Sequence, residues 1–551
     1  MSKPLSSSTP MIWMNVTTSA NWTRPPVGIV RVEQMLCSEL EKLFGSQFKK
    51  CVWMDGSFVE WIPDQPTDKN IDERIDFILP RSASFEIARR FLARFLAASK
   101  KEKNFLKVAL SPDVCRPTQP RAGDVLISVG LDWDNLYTAE FFNLSKKHGL
   151  KIITCCYDLI PVLFPQYCVG DVANRFKMYF NQLTWGSSAL LCISQKTQQD
   201  YISLCKKMGS PILPTCIIPL GDSIPSDVGD VSPEIQKLSE EPFILFVSTI
   251  ERRKNHEVLY RAYHLLCMAG HKKLLPKLVF VGMAGWGVSD LLKDIELDPQ
   301  TSDLIVQLNH LNDAELRTLY KKSLFCVYPS LYEGWGLPVG EALALGKVVL
   351  ASDQGSLPEV GGDLVCYLPP WNPQAWADAI LGLVTSPADI KCMEQKISNG
   401  YAPRTWVGTA KTVKSFITSV LEKDGTNPKR TFYPGYDFST QSGLSVGPCL
   451  KTVGQNGFLM FGPYISLAAV PYQIRIHGSF ETENSAGAHV DVVLDQGNTI
   501  LANQNITHAT KEGLLAELSF KLDKPCSDLE IRIVVSAETD MCVSLVEIIP
   551  L

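Results

Sequence analysis

No uninterrupted apolar run in this chain approaches the roughly 18 residues needed to span a bilayer, and no charged-then-apolar leader opens it. The expectation is a cytoplasmic protein without a transmembrane anchor. Cysteine clusters are missing as well. The 16 cysteines stand singly apart from Cys155-Cys156, with no C-x-x-C pair, which argues against a zinc site or a disulfide framework and for reduced, mostly buried thiols. Nor is there an excess of charge of either sign: a formal net charge of −5 gives no reason to expect a nucleic-acid partner. The run Gly282-Met283-Ala284-Gly285-Trp286-Gly287 lacks the glycine spacing of a dinucleotide fingerprint.

What is present is ordinary in bulk: 45% hydrophobic and 20% charged residues over 551 positions, a soluble globular composition. That length suggests roughly three or four domains. One stretch organises the rest, LFCVYPSLYEGWGLPVGEALALGKVVLASDQGSLPE at 324–359. Leu324 to Tyr328 read as a buried strand that Pro329 stops. A glycine-spaced turn follows, then Pro338 at a first helical position, with Gly346 placed to end the helix. Strand, Gly-rich loop and helix put a helix N-terminus at the carboxyl edge of a parallel sheet, where phosphate is commonly bound. Glu333 in the loop and Glu341 in the helix are then unexpected, because a phosphate site needs no acids. A sugar joined to a diphosphate does, since its hydroxyls need acceptors and a developing oxocarbenium charge is stabilised by a carboxylate. Taken singly, either glutamate could be a plain capping or solvated residue.

The whole run resembles the signature of glycosyltransferase family four, retaining enzymes with the GT-B fold of two Rossmann-like domains: Glu333, seven residues, then Glu341, with GWGLPVG between and SDQGSLPEVGG after. The resemblance implies that Glu333, Gly334, Trp335, Gly336 and Leu337 meet the transferred sugar and diphosphate, and that Glu341 meets the donor ribose. It extends to STIERRKN after the apolar run 243–247, which is similar to the family's GTIEPRKN. There Ser248, Thr249, Arg253 and Lys254 are the matching donor-site positions, and a guanidinium and an ammonium suit a departing diphosphate without a metal. Replacing Arg253 or Lys254 is expected to slow turnover with little effect on folding. Leu311, after the run 305–308, falls where the family holds the nucleotide base.

In the first half, a strand over 11–16, a polar loop over 17–27 and a helix from about 29 to 44 place Gly28 and Arg31 at the helix start. RPPVGIVRVEQ resembles a GIxR variant whose loop faces the acceptor, although many relatives carry two adjacent glycines where this chain has one. Gly28 reads equally as a turn residue. Apolar runs at 125–129, 151–156 and 189–193 end in polar loops in the α/β manner. YDLIPVLFPQY resembles an HDLxPxxxP segment in which His-Asp approaches the reacting sugar. Tyr157 stands at the histidine position and Asp158 is retained, which puts a general base there in doubt. Residues 83–107 form a basic amphipathic pattern, suited to an anionic membrane surface or to a core-packed helix with a solvated basic face. From 430 onward, short alternating strands between turn residues read as a β-sandwich.

The expected organisation is therefore α/β: an acceptor-binding Rossmann-like domain over 1–240, a donor-binding one over 241–425 whose final helix returns to the first, and an accessory β-sandwich over 430–551 that folds independently. The catalytic set implied is Asp158, Arg253, Lys254 and Glu333, with Gly28, Arg31, Tyr157 and Asp158 toward the acceptor. No metal and no cofactor are implied. The partners are a nucleotide-diphosphate sugar and a glycan or lipid-linked glycan acceptor, with peripheral contact at the inner membrane or with assembly partners as a further option. The activity implied is transfer of a hexose, mannose from GDP-mannose, in O-antigen or capsule biosynthesis. UDP-glucose, UDP-N-acetylglucosamine and nucleotide-linked deoxyhexoses such as rhamnose stay open as donors. A non-catalytic sugar-binding protein is the alternative class. A phosphorylase of the same fold would need a lysine holding pyridoxal phosphate, and nothing marks one.

Overall fold

The structure is a computed structural model that describes residues 9–22, 28–54, 57–61, 115–118, 120–134, 136–223, 229–422, 429–482, 485–510 and 512–551. The basic amphipathic pattern at 83–107 lies outside them. Among the described residues no helix is long and apolar enough to cross a membrane.

Two α/β units come first. The eight-stranded sheet of the first runs Cys115–Pro117, Ser57–Trp61, Phe48–Met54, Ile12–Asn15, Val125–Ser128, Lys151–Cys156, Ala189–Cys192 and Thr215–Ile217. The first two pairings are antiparallel and the remainder parallel. Its central strands Ile12–Asn15, Val125–Ser128 and Ala189–Cys192 are buried at every position, as parallel strands covered by helices on both faces must be. The second unit is an all-parallel six-stranded sheet in the order Ile305–Leu308, Lys277–Val281, Phe243–Val247, Cys326–Tyr328, Val349–Ser352, Cys366–Leu368. Counted within the unit this is 3-2-1-4-5-6, the doubly wound order, and its crevice opens where Phe243–Val247 and Cys326–Tyr328 lie side by side. The two sheets match the GT-B expectation.

The helix Trp406–Glu422 leaves the second unit and lies against the helix Gly28–Phe44 of the first. Lys414 Nζ donates to Leu43 O at 2.7 Å and Lys151 Nζ to Val420 O at 2.6 Å, neutralising carbonyls that helix ends leave free. A buried node holds the crossover. Asp222, where the chain leaves the first unit, accepts from Tyr401 Oη at 2.6 Å and from Arg404 N at 2.9 Å, where it returns.

Part of the loop read over 17–27 carries helix, and so does the connection before Phe243. Thr17–Ala20 forms one turn because Asn15 Oδ1 accepts from Thr17 N at 3.1 Å, and Pro233–Leu238 forms another with proline in its first turn. The C-terminal region is two packed antiparallel sheets, of six and five strands, as alternation suggested. It packs against the first unit. Its core is continuous with Phe142 and Trp185 of the first unit, Trp185 meeting Tyr472 edge-on at 5.4 Å. Lys146 Nζ also donates to Pro550 O at 2.9 Å. An apolar residue on a helix looks alike in sequence whether it faces its own sheet or a neighbouring domain.

Truncation after residue 428 therefore uncovers Trp185 and Phe142, and a large patch of this kind promotes association. Lower soluble yield and a lower Tm than the full chain are expected by differential scanning fluorimetry. A soluble truncation with an unchanged first transition would show that the contact is dispensable.

Candidate active site

The crevice of the second sheet is built by two loops, and the chemistry sits on them. After Phe243–Val247, residues Arg252–Lys254 make a single helical turn closed by Asn255 at φ 61°. Asn255 Nδ2 donates to Pro329 O at 3.1 Å and to Pro370 O at 2.8 Å, and Leu331 N donates to Arg253 O at 2.8 Å. The loop after Cys326–Tyr328 is thereby stitched to the first. Between them lies Glu333, 6% exposed, with Arg253 Nη1 2.7 Å from one carboxylate oxygen and Lys254 Nζ 2.6 Å from the other. Arg253 Nη2 also reaches Glu251 at 2.7 Å, and Lys254 Nζ donates to Tyr328 Oη at 3.0 Å.

Burial pushes the Glu333 carboxyl up, but the charges of Arg253 and Lys254 outweigh it and hold the group down to about 2. Glu333 is thus an ionised carboxylate at neutral pH and unsuited to donate a proton. Burial and the neighbouring guanidinium pull Lys254 down, whereas Glu333 and Glu251 overcome the burial of Arg253 and raise it. Removal of either cation is expected to weaken the fold as well as the site. Each removal strips a buried carboxylate of a partner, a loss on the order of 3–5 kcal/mol.

Glycine is required where the two units touch. A Cβ on Gly334 would lie 2.1 Å from Tyr157 O, and Gly336, at φ 125°, turns the chain into the helix Leu337–Ala344. Ser356 of the SDQGSLPE run donates through Oγ to Glu333 O at 3.0 Å and to Trp335 O at 2.8 Å, fixing the loop from below. Trp335 itself is covered by the Arg404 guanidinium at 5.0 Å, which ties this loop to the crossover node. In the helix, Glu341 accepts from Tyr320 Oη at 3.0 Å and from Arg31 Nη1 at 3.1 Å, while Arg31 Nη2 donates to Asp313 at 2.9 Å.

These groups face one cavity of about 920 Å³ between the units. Its wall includes Gly28, Arg31, Tyr157, Asp158, Ser248, Thr249, Arg253, Lys254, Leu311, Glu333, Gly334, Trp335, Gly336, Leu337 and Glu341, every site residue read from the sequence. Two of them point elsewhere than the reading supposed. The Tyr157 hydroxyl donates to Val129 O within its own unit, and Arg31 is bound to donor-side carboxylates. Asp158 is half-buried, accepts from Ile160 N at 3.0 Å, and is raised by desolvation against the pull of Arg253. The opposite wall is aromatic: Trp133 packs on Phe176 at 4.8 Å and on Tyr179 at 6.0 Å. Its loop is held by Asp132, which accepts from Ser128 Oγ at 2.8 Å and Tyr137 Oη at 2.5 Å. Sequence reading missed Glu251, Tyr328, Tyr320 and Asp313 as partners. Tyr328 alone left a signal, as the polar tip of an otherwise apolar strand facing the loop.

A carboxylate whose pKa is lowered on folding stabilises the protein above its unfolded pKa, and that stability is lost as pH falls through the folded one. For Glu333, between an ordinary 4.5 and about 2, the difference is worth about 3 kcal/mol. The Tm gap between the wild type and Glu333→Gln is therefore expected to be constant above pH 5 and to narrow as pH falls from about 4.5 toward 2. A gap that widens on acidification would show that the carboxylate is not ion-paired.

Comparison with known proteins finds relatives for this part of the chain. Residues 230–401 match the family described as glycosyl transferases group 1. Over 275 residues the chain is 28% identical to the O-antigen chain mannosyltransferase B of Escherichia coli, covering 50% of this chain and 67% of that protein. It is also 29% identical over 286 residues to the serotype-specific mannosyltransferase WbdA of Escherichia coli, covering 49% of this chain and 34%, about a third, of WbdA. Sucrose-phosphate synthase from Thermosynechococcus elongatus aligns with a TM-score of 0.49 at 16% identity, over 75% of this chain and 99% of that one. From the strand that precedes Arg253 to the helix that carries Glu341, the cation-bound glutamate and its loops thus lie in the region that matches the group 1 glycosyl transferases.

Proposed function

We propose that the protein transfers mannose from GDP-mannose, with retention of configuration, to a glycan or lipid-linked glycan acceptor in polysaccharide assembly of the O-antigen or capsule kind. The observation that carries this reading is the Arg253–Glu333–Lys254 cluster at the sheet's crevice, with Glu341 further along on the following helix. Both Escherichia coli relatives are mannosyltransferases, which favours mannose.

The chemistry follows from what each group can do. A nucleoside diphosphate at the helix N-terminus would bring its phosphates onto Arg253 and Lys254, which take up the negative charge that grows as the anomeric C–O bond breaks and its electron pair moves to the β-phosphate oxygen. Glu333, released in part from its cations, opposes the positive charge at the anomeric carbon. The acceptor hydroxyl attacks on the face the phosphate leaves and passes its proton to the departing phosphate oxygen. No side chain need act as base, which fits a Tyr157 hydroxyl committed to Val129 O. The charge handling rests on the two cations and needs no metal. The wall of Trp133, Phe176 and Tyr179 offers apolar area for the faces of acceptor sugars.

Incubated with a panel of sugar nucleotides, the protein is expected to release nucleoside diphosphate from GDP-mannose faster than from UDP-glucose, UDP-N-acetylglucosamine or GDP-linked deoxyhexoses. Lys254→Ala, assayed below its own Tm, is expected to lose on the order of 10²-fold in turnover, as when one preorganised donor to a developing anion is removed. Equal release from all donors would refute the mannosyl assignment. Full activity of a folded Lys254→Ala would refute the site.

A further inference from the structure

Arg31 stands in the first turn of the helix Gly28–Phe44, on the first unit, where a resemblance to relatives would turn it toward the acceptor. Its geometry says otherwise. The residue is 7% exposed, and both terminal nitrogens are taken by carboxylates of the opposite unit, Glu341 at 3.1 Å and Asp313 at 2.9 Å. Glu341 is itself 5% exposed, and its second oxygen accepts from Tyr320 Oη at 3.0 Å. An ionised carboxylate offers about four acceptor sites, so these two donors leave room for about two more. Both Arg31 and Glu341 line the cavity, and vicinal hydroxyls would fill the remaining sites.

Without Arg31, Glu341 would be a buried acid beside Asp313 and Asp222 with no cation among the groups that set its charge. Such a group is costly to keep ionised and poorly held in direction. A guanidinium suits the task better than an ammonium, because its fork reaches two carboxylates at once.

We infer that Arg31 is a positioning residue for the donor: reaching across from the first unit, it holds the Glu341 carboxylate in place for the vicinal hydroxyls of the donor's ribose. This inference rests on the transferase reading and extends it. The ribose site is complete only when the two units are closed, because its counter-charge belongs to the first and its acceptor to the second. Donor binding and closure are therefore coupled through one side chain.

The test is titration calorimetry with GDP and UDP and with their 2′,3′-dideoxy forms. For the wild type, loss of the two hydroxyls is expected to weaken the better-bound nucleotide by tenfold or more. For Arg31→Gln that penalty is expected to shrink below about threefold, while Arg31→Lys recovers part of it. Asp313→Asn loosens Arg31 without uncovering a charge, so it should show a smaller shrinkage, and it serves as the second variant if Arg31→Gln folds poorly. An undiminished penalty in the Arg31 and Asp313 variants would overturn the inference. So would tighter nucleotide binding by Arg31→Gln, which would mean that Arg31 occupies the place of the ribose. A change confined to acceptor KM would return Arg31 to the acceptor. A wild type that binds neither nucleotide would refute the transferase reading itself, and this inference with it.

Discussion

A carboxylate buried between two cations is the constraint on which the rest of this molecule depends. Glu333, itself buried, is held by Arg253 and Lys254 at 2.7 and 2.6 Å, where an unpaired charge would be prohibitive. The pairing requires the loops after two strands that are neighbours in space and distant in sequence, and the 3-2-1-4-5-6 order supplies them. It also requires backbone to approach backbone, hence Gly334 against Tyr157 O and Gly355, whose Cβ would lie 2.4 Å from Glu333 O. The same contacts with Glu333 keep both cations oriented toward the crevice.

Closure of the two units is written into the same groups. Besides Arg31, the Glu359 carboxylate accepts from the free N–H groups of Gln195 and Lys196 at 2.7 Å each, at the start of the helix Gln195–Met208. Tyr332 donates to Asp200, and Trp286 Nε1 donates to Tyr167 O at 3.2 Å across the far rim. The crossover node of Asp222, Tyr401 and Arg404 connects this rim to the donor loop through the stacking of Arg404 on Trp335. Rotation of one unit against the other would therefore disturb the donor loop directly, a route by which hinge motion and substrate binding share free energy.

What could be read from the chain and what could not divide along sequence distance. Glu333, Glu341, Arg253 and Lys254 were legible because each sits within a few residues of a strand end or helix start, where local pattern fixes position. The family resemblance implied two Rossmann-like sheets, but not their strand order. The pairing of Arg31 with Glu341 joins positions 310 apart and leaves no local mark. Tyr157 could be identified as the residue replacing histidine, but not that its hydroxyl turns to Val129 O, since rotamers answer to packing. The sandwich strands showed in their alternation. The docking of their core onto Trp185 did not, because burial of one aromatic says nothing about which domain covers it.

In the proposed transferase, Arg253 and Lys254 are the seat of the donor's terminal phosphate. This assignment is tested most directly by the affinity that this phosphate adds: GDP against GMP, and UDP against UMP, by calorimetry on folded wild type, Arg253→Lys and Lys254→Gln. The account requires that the wild type bind the diphosphate of its preferred base at least about tenfold more tightly than the monophosphate, and that Lys254→Gln lose most of that difference with Arg253→Lys losing part, the monophosphate affinities holding nearly constant. The same diphosphate advantage in all three proteins would contradict it.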